Sequence, residues 1–284
     1  MTKLTLSAYA KINLSLFITG TRDDGYHTLE SVMQEISLAD TLEMEKIPTG
    51  ILLSCNKEHI PTNEKNLCWK AANAYLAQAG ITGGVKIRLI KRIPDGAGMG
   101  GGSADAAAVL KGMMALYPAD VDLFAIGAKI GADVPFCLAG GTYLCEGIGE
   151  KLTPVSFPIK KKLFAVVAKN CEGLSTPHIY SLYDKTRHGD KTASSTNEFI
   201  DAMGSGKLQK VFALMQNDLE LCAISERPDI GALKARLSSL GADAAMMTGS
   251  GSAVFGLFLS EEKARDSAEK LTKDGIEAYF CKLN

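Results

Sequence analysis

The stretch that most constrains this chain is Lys91-Arg-Ile-Pro-Asp-Gly-Ala-Gly-Met-Gly-Gly-Gly-Ser-Ala-Asp-Ala-Ala-Ala-Val-Leu110. Leading into it, Val85 to Ile93 reads as a strand, with Val85, Ile87 and Leu89 alternating against Lys86, Arg88 and Ile90. Pro94 and Asp95 turn the chain, and five of the seven residues from Gly96 to Gly102 are glycine. Ala104 to Tyr117 is then an alanine-rich helix of high intrinsic propensity. Ser103 stands where an N-cap belongs, and Asp105 lies in the first turn, where a negative charge suits the helix dipole.

A glycine-rich loop that ends in a helix N-terminus is a device for holding phosphate. Glycines let the backbone approach the ligand, and the first helical N–H groups have no other partner. So many glycines are costly to order, which favours anion binding over the alternative of a mobile loop before a capped helix. No Gly-Lys-Ser/Thr follows the glycines, so this is not a Walker A loop. Gly96-x-Gly98-x-x-Gly101 matches the dinucleotide fingerprint only loosely. There the strand runs straight into the first glycine, whereas here Lys91 to Asp95 intervene with a strand-breaking proline. An NAD(P)-binding oxidoreductase and a non-catalytic nucleotide-binding module remain open beside a phosphotransferase.

At 284 residues the chain has room for about two domains with substantial cores. Its net charge of −1 leaves no electrostatic footprint for nucleic acid or an anionic membrane. A hydrophobic content of 46% with 22% charged residues is ordinary for a soluble protein, and no apolar run reaches the length of a membrane helix. Lys11 interrupts the N-terminal segment before it could serve as a signal peptide. Seven scattered cysteines without a Cys-x-x-Cys pattern point to reduced thiols in a cytoplasm, not to disulfides or zinc.

Residues 3 to 19 alternate almost throughout, which is long for one strand and predicts a bend or bulge. Tyr9, Lys11, Asn13 and Ser15 then share one face, which the pattern by itself reads as solvated. Thr21 to Gly25 is a turn, and Tyr26 and His27 beside it are either ligand contacts or turn anchors. Thr41 to Ile47 reads as a strand, Asn66 to Ala79 as a helix capped by Asn66 and stopped by Gly80, and Val121 to Ile130 as a helix ended by Gly131. Asp133 follows, with Pro135 favouring an extended Val134. Strands around 136–138 and 142–146 close the first domain.

A joint at 154–162 divides the chain into domains 1–157 and 158–284. The second reads as strand 163–168, helices within 177–184, 197–203, 207–222 and 229–239, strands 243–247 and 253–259, helix 261–273 and strand 276–282, with a mobile polar loop over 188–196. Without its extra helices this is the β-α-β-β-α-β order of a ferredoxin-like domain. Thr248-Gly-Ser-Gly-Ser252 is a second glycine turn, either a hairpin or a second anion-binding nest.

Three separated segments, Ala10 to Leu14, Pro94 to Ala104 and Thr248 to Ser252, together resemble the GHMP kinases. Arg22-Asp-Asp-Gly-Tyr-His27, Gly131-Ala-Asp-Val-Pro-Phe136 and Ser175-Thr-Pro-His-Ile-Tyr180 narrow the resemblance to members serving non-mevalonate isoprenoid synthesis, whose acceptor is a cytidine-diphosphate-linked sugar alcohol. The resemblance implies an α+β, two-domain fold with an N-terminal mixed α/β nucleotide-binding domain and a C-terminal ferredoxin-like one. It implies an ATP-dependent kinase using Mg²⁺, acting on a small molecule as a monomer or homodimer. Mevalonate and homoserine kinases are the family alternatives.

By the same resemblance Asp133 is the catalytic base and Lys11 its partner at the acceptor hydroxyl. Pro94, Asp95, Gly96, Ala97, Gly98, Met99, Gly100, Gly101, Gly102, Ser103 and Ala104 form the ATP triphosphate loop, with Asn66 and Lys91 on the adenine side. Tyr26 and Tyr180 match positions that sandwich a cytosine, with His27 at its edge, while Asn13 and Thr176 match positions near the sugar-alcohol end. One departure is Ala104, which stands where many members carry a second serine.

Overall fold

The computed structural model describes residues 3–186 and 196–284. In chain order the elements begin with strands β1 (Lys3–Asn13), β2 (Phe17–Thr21), β3 (His27–Ile47) and β4 (Gly50–Cys55). Next come α1 (Leu67–Ala79), β5 (Gly84–Ile90), α2 (Gly101–Leu116), α3 (Leu123–Ile130), α4 (Val134–Ala139), β6 (Thr142–Gly147) and β7 (Lys151–Pro154). A 3-10 turn at Lys160–Lys162 precedes β8 (Phe164–Lys169), α5 (Thr176–Thr186), α6 (Thr196–Gly204), α7 (Leu208–Leu214) and α8 (Glu220–Glu226). The chain ends with α9 (Pro228–Ser239), β9 (Ala244–Met247), β10 (Val254–Phe258), α10 (Glu261–Lys273) and β11 (Glu277–Lys282). The loop expected over 188–196 lies, apart from Thr196, outside the described residues.

The elements gather into two compact units, each assembled from separate stretches. The first holds residues to Ala10, Leu38–Ile93 and Gly100–Gly140. In it the second half of β3 pairs antiparallel with β5, from Thr41 opposite Ile90 to Ile47 opposite Gly84. β4 joins the other edge of β5 in parallel. The alternation expected in β5 holds, with Val85, Ile87 and Leu89 buried. Helix α2 is alanine-rich because it is buried nearly all round, Ala104 and Ala106 through Leu110 included. Small side chains allow this close packing: a Cβ at Gly112 would meet Met44 Sδ at 2.4 Å.

The second unit holds Lys11–Ser37, Pro94–Met99 and Gly141–Asn284. Its four-stranded antiparallel sheet has the order β11-β8-β10-β9, which is the ferredoxin-like arrangement the element order predicts. Val166, Met247, Val254 and Phe258 of that sheet pack with Ile230, Leu233 and Leu237 of α9 and Ala264, Ala268 and Leu271 of α10 in one apolar cluster. The first half of β3 pairs here with β2 and β6, and β6 pairs with β7.

The bend expected in the first strand is found, and three local expectations are corrected. The long first strand breaks where Leu14 N–H and Ser15 N–H both donate to the Val32 carbonyl, at 2.8 and 3.5 Å. The strand expected at 136–138 is helix α4. Pro135 occupies a first-turn position, where its missing N–H goes unneeded, and Val134 N–H donates to Gly131 O at 3.1 Å. The strand read at Thr41–Ile47 is the second half of a strand that starts at His27. The single helix expected over 207–222 is two, because Gln216 to Asp218 pair with the chain at Leu16 (Leu16 N to Gln216 O 2.8 Å, Asp218 N to Leu16 O 3.0 Å).

Candidate active site

Within the second unit the first part of the glycine loop is tied down by its backbone. Lys11 N–H donates to Met99 O at 3.1 Å, Ala253 N–H to Ala97 O at 3.3 Å, and Lys169 Nζ to Asp95 O. Gly96 and Gly98 have φ of 58° and 71°, values in the left-handed region that favours glycine. Gly98 also lies against the second glycine turn, so closely that a Cβ there would fall 2.1 Å from Thr248 O. Asn217, buried before α8, holds that turn from below, donating through Nδ2 to Met247 O and Gly249 O at 2.9 Å each. Nothing in the local sequence marks Asn217, and the sequence reading missed it.

Thr248 joins these pieces to the end of β1. Its Oγ1 accepts from Asn13 N–H at 3.1 Å and faces Asn13 Oδ1 at 3.2 Å and Gly98 O at 3.3 Å. Lys11 Nζ donates to Asn13 Oδ1 at 2.6 Å, Asn13 Nδ2 to Ser31 Oγ at 2.7 Å, and Ser31 Oγ to Ser15 O at 2.6 Å. The solvated face expected for this segment is therefore corrected. Lys11, Asn13 and Ser15 are 4%, 1% and 0% exposed, and only Tyr9 of the four faces solvent. Buried polar groups are tolerated because each has a hydrogen-bond partner.

The same unit brings His27 and Tyr180 together, ring centroids 4.8 Å apart, with Tyr183 edge-on to His27 at 6.3 Å. His27 Nε2 lies 2.7 Å from Asp184 Oδ1. Tyr26, next to the left-handed Gly25, is 63% exposed. Thr176 Oγ1 at the start of α5 is 2.7 Å from Ser250 Oγ in the second glycine turn.

In the first unit α2 begins three residues earlier than its sequence suggests. Gly100, with φ 67°, takes the N-cap position without a side-chain cap, so Ser103 lies inside the first turn and is not the cap. The left-handed glycines of this motif are thus Gly96, Gly98 and Gly100, whereas Gly101 is already helical. Ser103 Oγ faces the turn before Asp133, where a Cβ at Gly131 would lie 3.7 Å from it. Asp133 itself is the N-cap residue of α4 (φ −81°, ψ −10°), and its carboxylate does not cap that helix. Asn66 caps α1 as expected, accepting from Cys68 N–H at 2.8 Å, and its Nδ2 donates to Pro61 O at 2.7 Å. Lys91 is buried between two carboxylates, 2.5 Å from Asp40 Oδ2 and 2.8 Å from Asp105 Oδ2. Burial alone would lower its pKa, but the charges of Asp105 and Asp40 outweigh that and hold it above the usual lysine range.

Comparison with known proteins assigns this architecture. The model of the GHMP kinases N terminal domain matches residues 66–141, and that of the GHMP kinases C terminal domain matches 199–277. Over 285 aligned residues the chain is 41% identical to 4-diphosphocytidyl-2-C-methyl-D-erythritol kinase of Clostridium botulinum (strain Alaska E43 / Type E3), covering 98% of this chain and 99% of that one. The chain belongs to the GHMP kinases, in their 4-diphosphocytidyl-2-C-methyl-D-erythritol kinase branch. Its counterpart in Clostridium kluyveri (strain ATCC 8527) is 42% identical over 282 residues, covering 98% and 99% of the two chains. A solved 4-(cytidine 5'-diphospho)-2C-methyl-D-erythritol kinase superimposes with a TM-score of 0.82 at 37% identity, covering 99% of each chain. This GHMP kinase is accordingly an ATP-dependent phosphotransferase, and the dinucleotide reading of its glycine loop is set aside. Among the described residues no helix is long and apolar enough to cross a membrane.

Proposed function

We propose that this chain transfers the γ-phosphoryl group of ATP to the 2-hydroxyl of 4-diphosphocytidyl-2-C-methyl-D-erythritol, a step toward isoprenoid precursors. The observation that carries the acceptor assignment is His27, held 2.7 Å from Asp184 and against the Tyr180 ring. An aromatic face beside a fixed imidazole suits a pyrimidine, and the relatives are named for an acceptor that carries one. Tyr26, exposed beside it, supplies the second face on closing over the base. Asn13 and Thr176 take the sugar-alcohol end.

Pro94 to Ala104 cradle the triphosphate with backbone N–H groups, and Asn66 and Lys91 shape the adenine side. Phosphoryl transfer needs in-line positioning, neutralised charge and an oriented acceptor. Asp133 takes the proton of the acceptor hydroxyl, and the Lys11 ammonium steadies the developing negative charge. Among the described residues no group of three or more His, Cys, Asp or Glu could hold a metal ion. Mg²⁺ would arrive on ATP with phosphate oxygens and water as ligands. When bound, Mg²⁺ neutralises charge on the transferred group.

The test is ADP release over a panel of acceptors: the diphosphocytidyl methylerythritol, mevalonate, homoserine and galactose. The cytidine diphosphate compound is expected to be preferred by orders of magnitude. Equal turnover of mevalonate or homoserine would sink the acceptor assignment and leave the kinase.

A further inference from the structure

Asp40, Lys91 and Asp105 form a buried ionic cluster that the transfer chemistry does not use. Their side chains are 0%, 5% and 4% exposed. Asp40 is fully engaged: Oδ2 accepts from Lys91 Nζ, and Oδ1 accepts from the backbone N–H groups of Arg92 and Ile93, the latter at 2.8 Å. Asp105 has less support. Its Oδ2 accepts from Lys91 Nζ at 2.8 Å, and its buried Oδ1 has no hydrogen-bond partner. Two carboxylates beside one ammonium carry a net charge of −1 if both ionise, in a place closed to water. An uncompensated buried charge is strongly unfavourable, so one proton between the two carboxylates balances the cluster. It resides on Asp105, the carboxylate with fewer donors.

The position of the cluster gives that proton a use. Gly101 is the first residue of α2, and a Cβ there would lie 3.2 Å from Lys91 Nζ and 3.1 Å from Ile93 Cγ2. Lys91 therefore lies directly beneath the first turn of α2, and Asp105 is in its second turn. We propose that the Asp40–Lys91–Asp105 cluster positions this first turn for the ATP triphosphate and sets the charge beneath it. Loss of the shared proton then weakens ATP binding. This rests on the reading of Gly101 to Ala104 as part of the triphosphate site.

Burial pushes the Asp105 carboxyl up to about 7, with Lys91 opposing the rise and Asp40 adding to it. The titratable groups facing it from neighbouring elements are Lys91 after β5, Asp40 on β3 and the Cys68 thiol on α1. Burial first, and then the charge of Asp105, pushes that thiol far up, so it stays neutral and leaves the charge of the cluster to Asp105. A negative charge added about 10 Å from a bound anion, at an effective dielectric constant near 20–40, weakens binding by roughly four- to sixteenfold.

The test compares ATP dissociation constants of the wild type and Asp105→Asn between about pH 6 and pH 8.5. Titration of ATP itself is common to both and cancels in the ratio. The ratio of wild-type to variant constants is expected to rise about four- to sixteenfold with pH. Near pH 8 the nucleotide's last phosphate proton, lost near about pH 6, is already gone. Calorimetry in buffers of different ionisation enthalpy should then show the wild type taking up a fraction of a proton as ATP binds, and Asp105→Asn none. The wild-type measurement stands by itself if the variant does not fold. A purely structural role would weaken ATP equally at every pH. A flat ratio, or no proton uptake by the wild type, overturns the proposal. The loop reading beneath it is tested separately: a Gly98→Ala variant that binds ATP normally would overturn that reading instead.

Discussion

The backbone N–H of Asn13 donates to Thr248 Oγ1 at 3.1 Å, although 235 positions separate the two residues. The same hydroxyl faces Gly98 O at 3.3 Å, so one threonine links the end of β1, the glycine loop and the second glycine turn. Thr248→Val keeps the shape and removes these bonds, leaving Asn13 N–H and Gly98 O without their partner. It should lower stability by about 1–3 kcal/mol in urea unfolding and weaken ATP binding, while Thr248→Ser restores both. A valine variant as stable as the wild type would show the hydroxyl to be dispensable.

Gly98→Ala tests the loop. The substitution puts a Cβ 2.1 Å from Thr248 O at a φ of 71° that alanine disfavours. Either the loop or the second turn must shift, and ATP affinity should fall at least tenfold by titration calorimetry. Far-ultraviolet circular dichroism should be unchanged, because Gly98 lies in no helix or strand.

Asp133→Asn removes the proposed proton acceptor and keeps the size of the side chain. The thermal midpoint is measured beside kcat, so that a loss of stability is told apart from the loss of a base. A general base contributes about 10²–10⁴-fold, so kcat should drop by that order with the ATP constant nearly unchanged. Near-normal kcat in this variant would refute the base assignment.

Tyr180→Ala removes the ring that packs, tilted by 33°, against His27 at 4.8 Å. Stacking on a base is worth about 1–3 kcal/mol, so the acceptor KM should rise roughly tenfold or more, with the ATP KM unaffected. Tyr26→Ala should act in the same direction. An unchanged acceptor KM in both variants would place the pyrimidine elsewhere.

Asp105 also makes stability depend on pH. In the folded state it holds its proton up to about pH 7, whereas an unfolded aspartate loses it near about 3.9. Between these values the folded state binds more protons, so this group's contribution to stability is lost as pH rises from about 4 to about 7. The loss is at most about 4 kcal/mol. Urea unfolding of the wild type and Asp105→Asn across this range should show the difference between them closing and then reversing in the variant's favour. A constant difference would show that Asp105 ionises at its ordinary pKa.

Features that depend on near neighbours are legible in the amino-acid order. Asn66 and Gly80 bracket α1 because a cap bond and a left-handed terminus are set within a few residues. Val85, Ile87 and Leu89 declare the inward face of β5, and the order of strands and helices after β8 specifies the ferredoxin-like sheet. The three motifs that resemble the GHMP kinases were legible for the same reason, each being a short contiguous run. Other features appear only once the chain is folded. Lys11, Asn13 and Ser15 alternate as a solvated face would, yet they are buried, because the partners Ser31 and Thr248 lie far along the chain. Pro135 begins a helix where its dipeptide alone suggests extended chain, since Val134 finds Gly131 O. Asp40 and Lys91 are 51 positions apart, and their pairing with Asp105 needs strand, loop and helix assembled first. Burial and long-range pairing are properties of the assembled fold, and no local pattern encodes them.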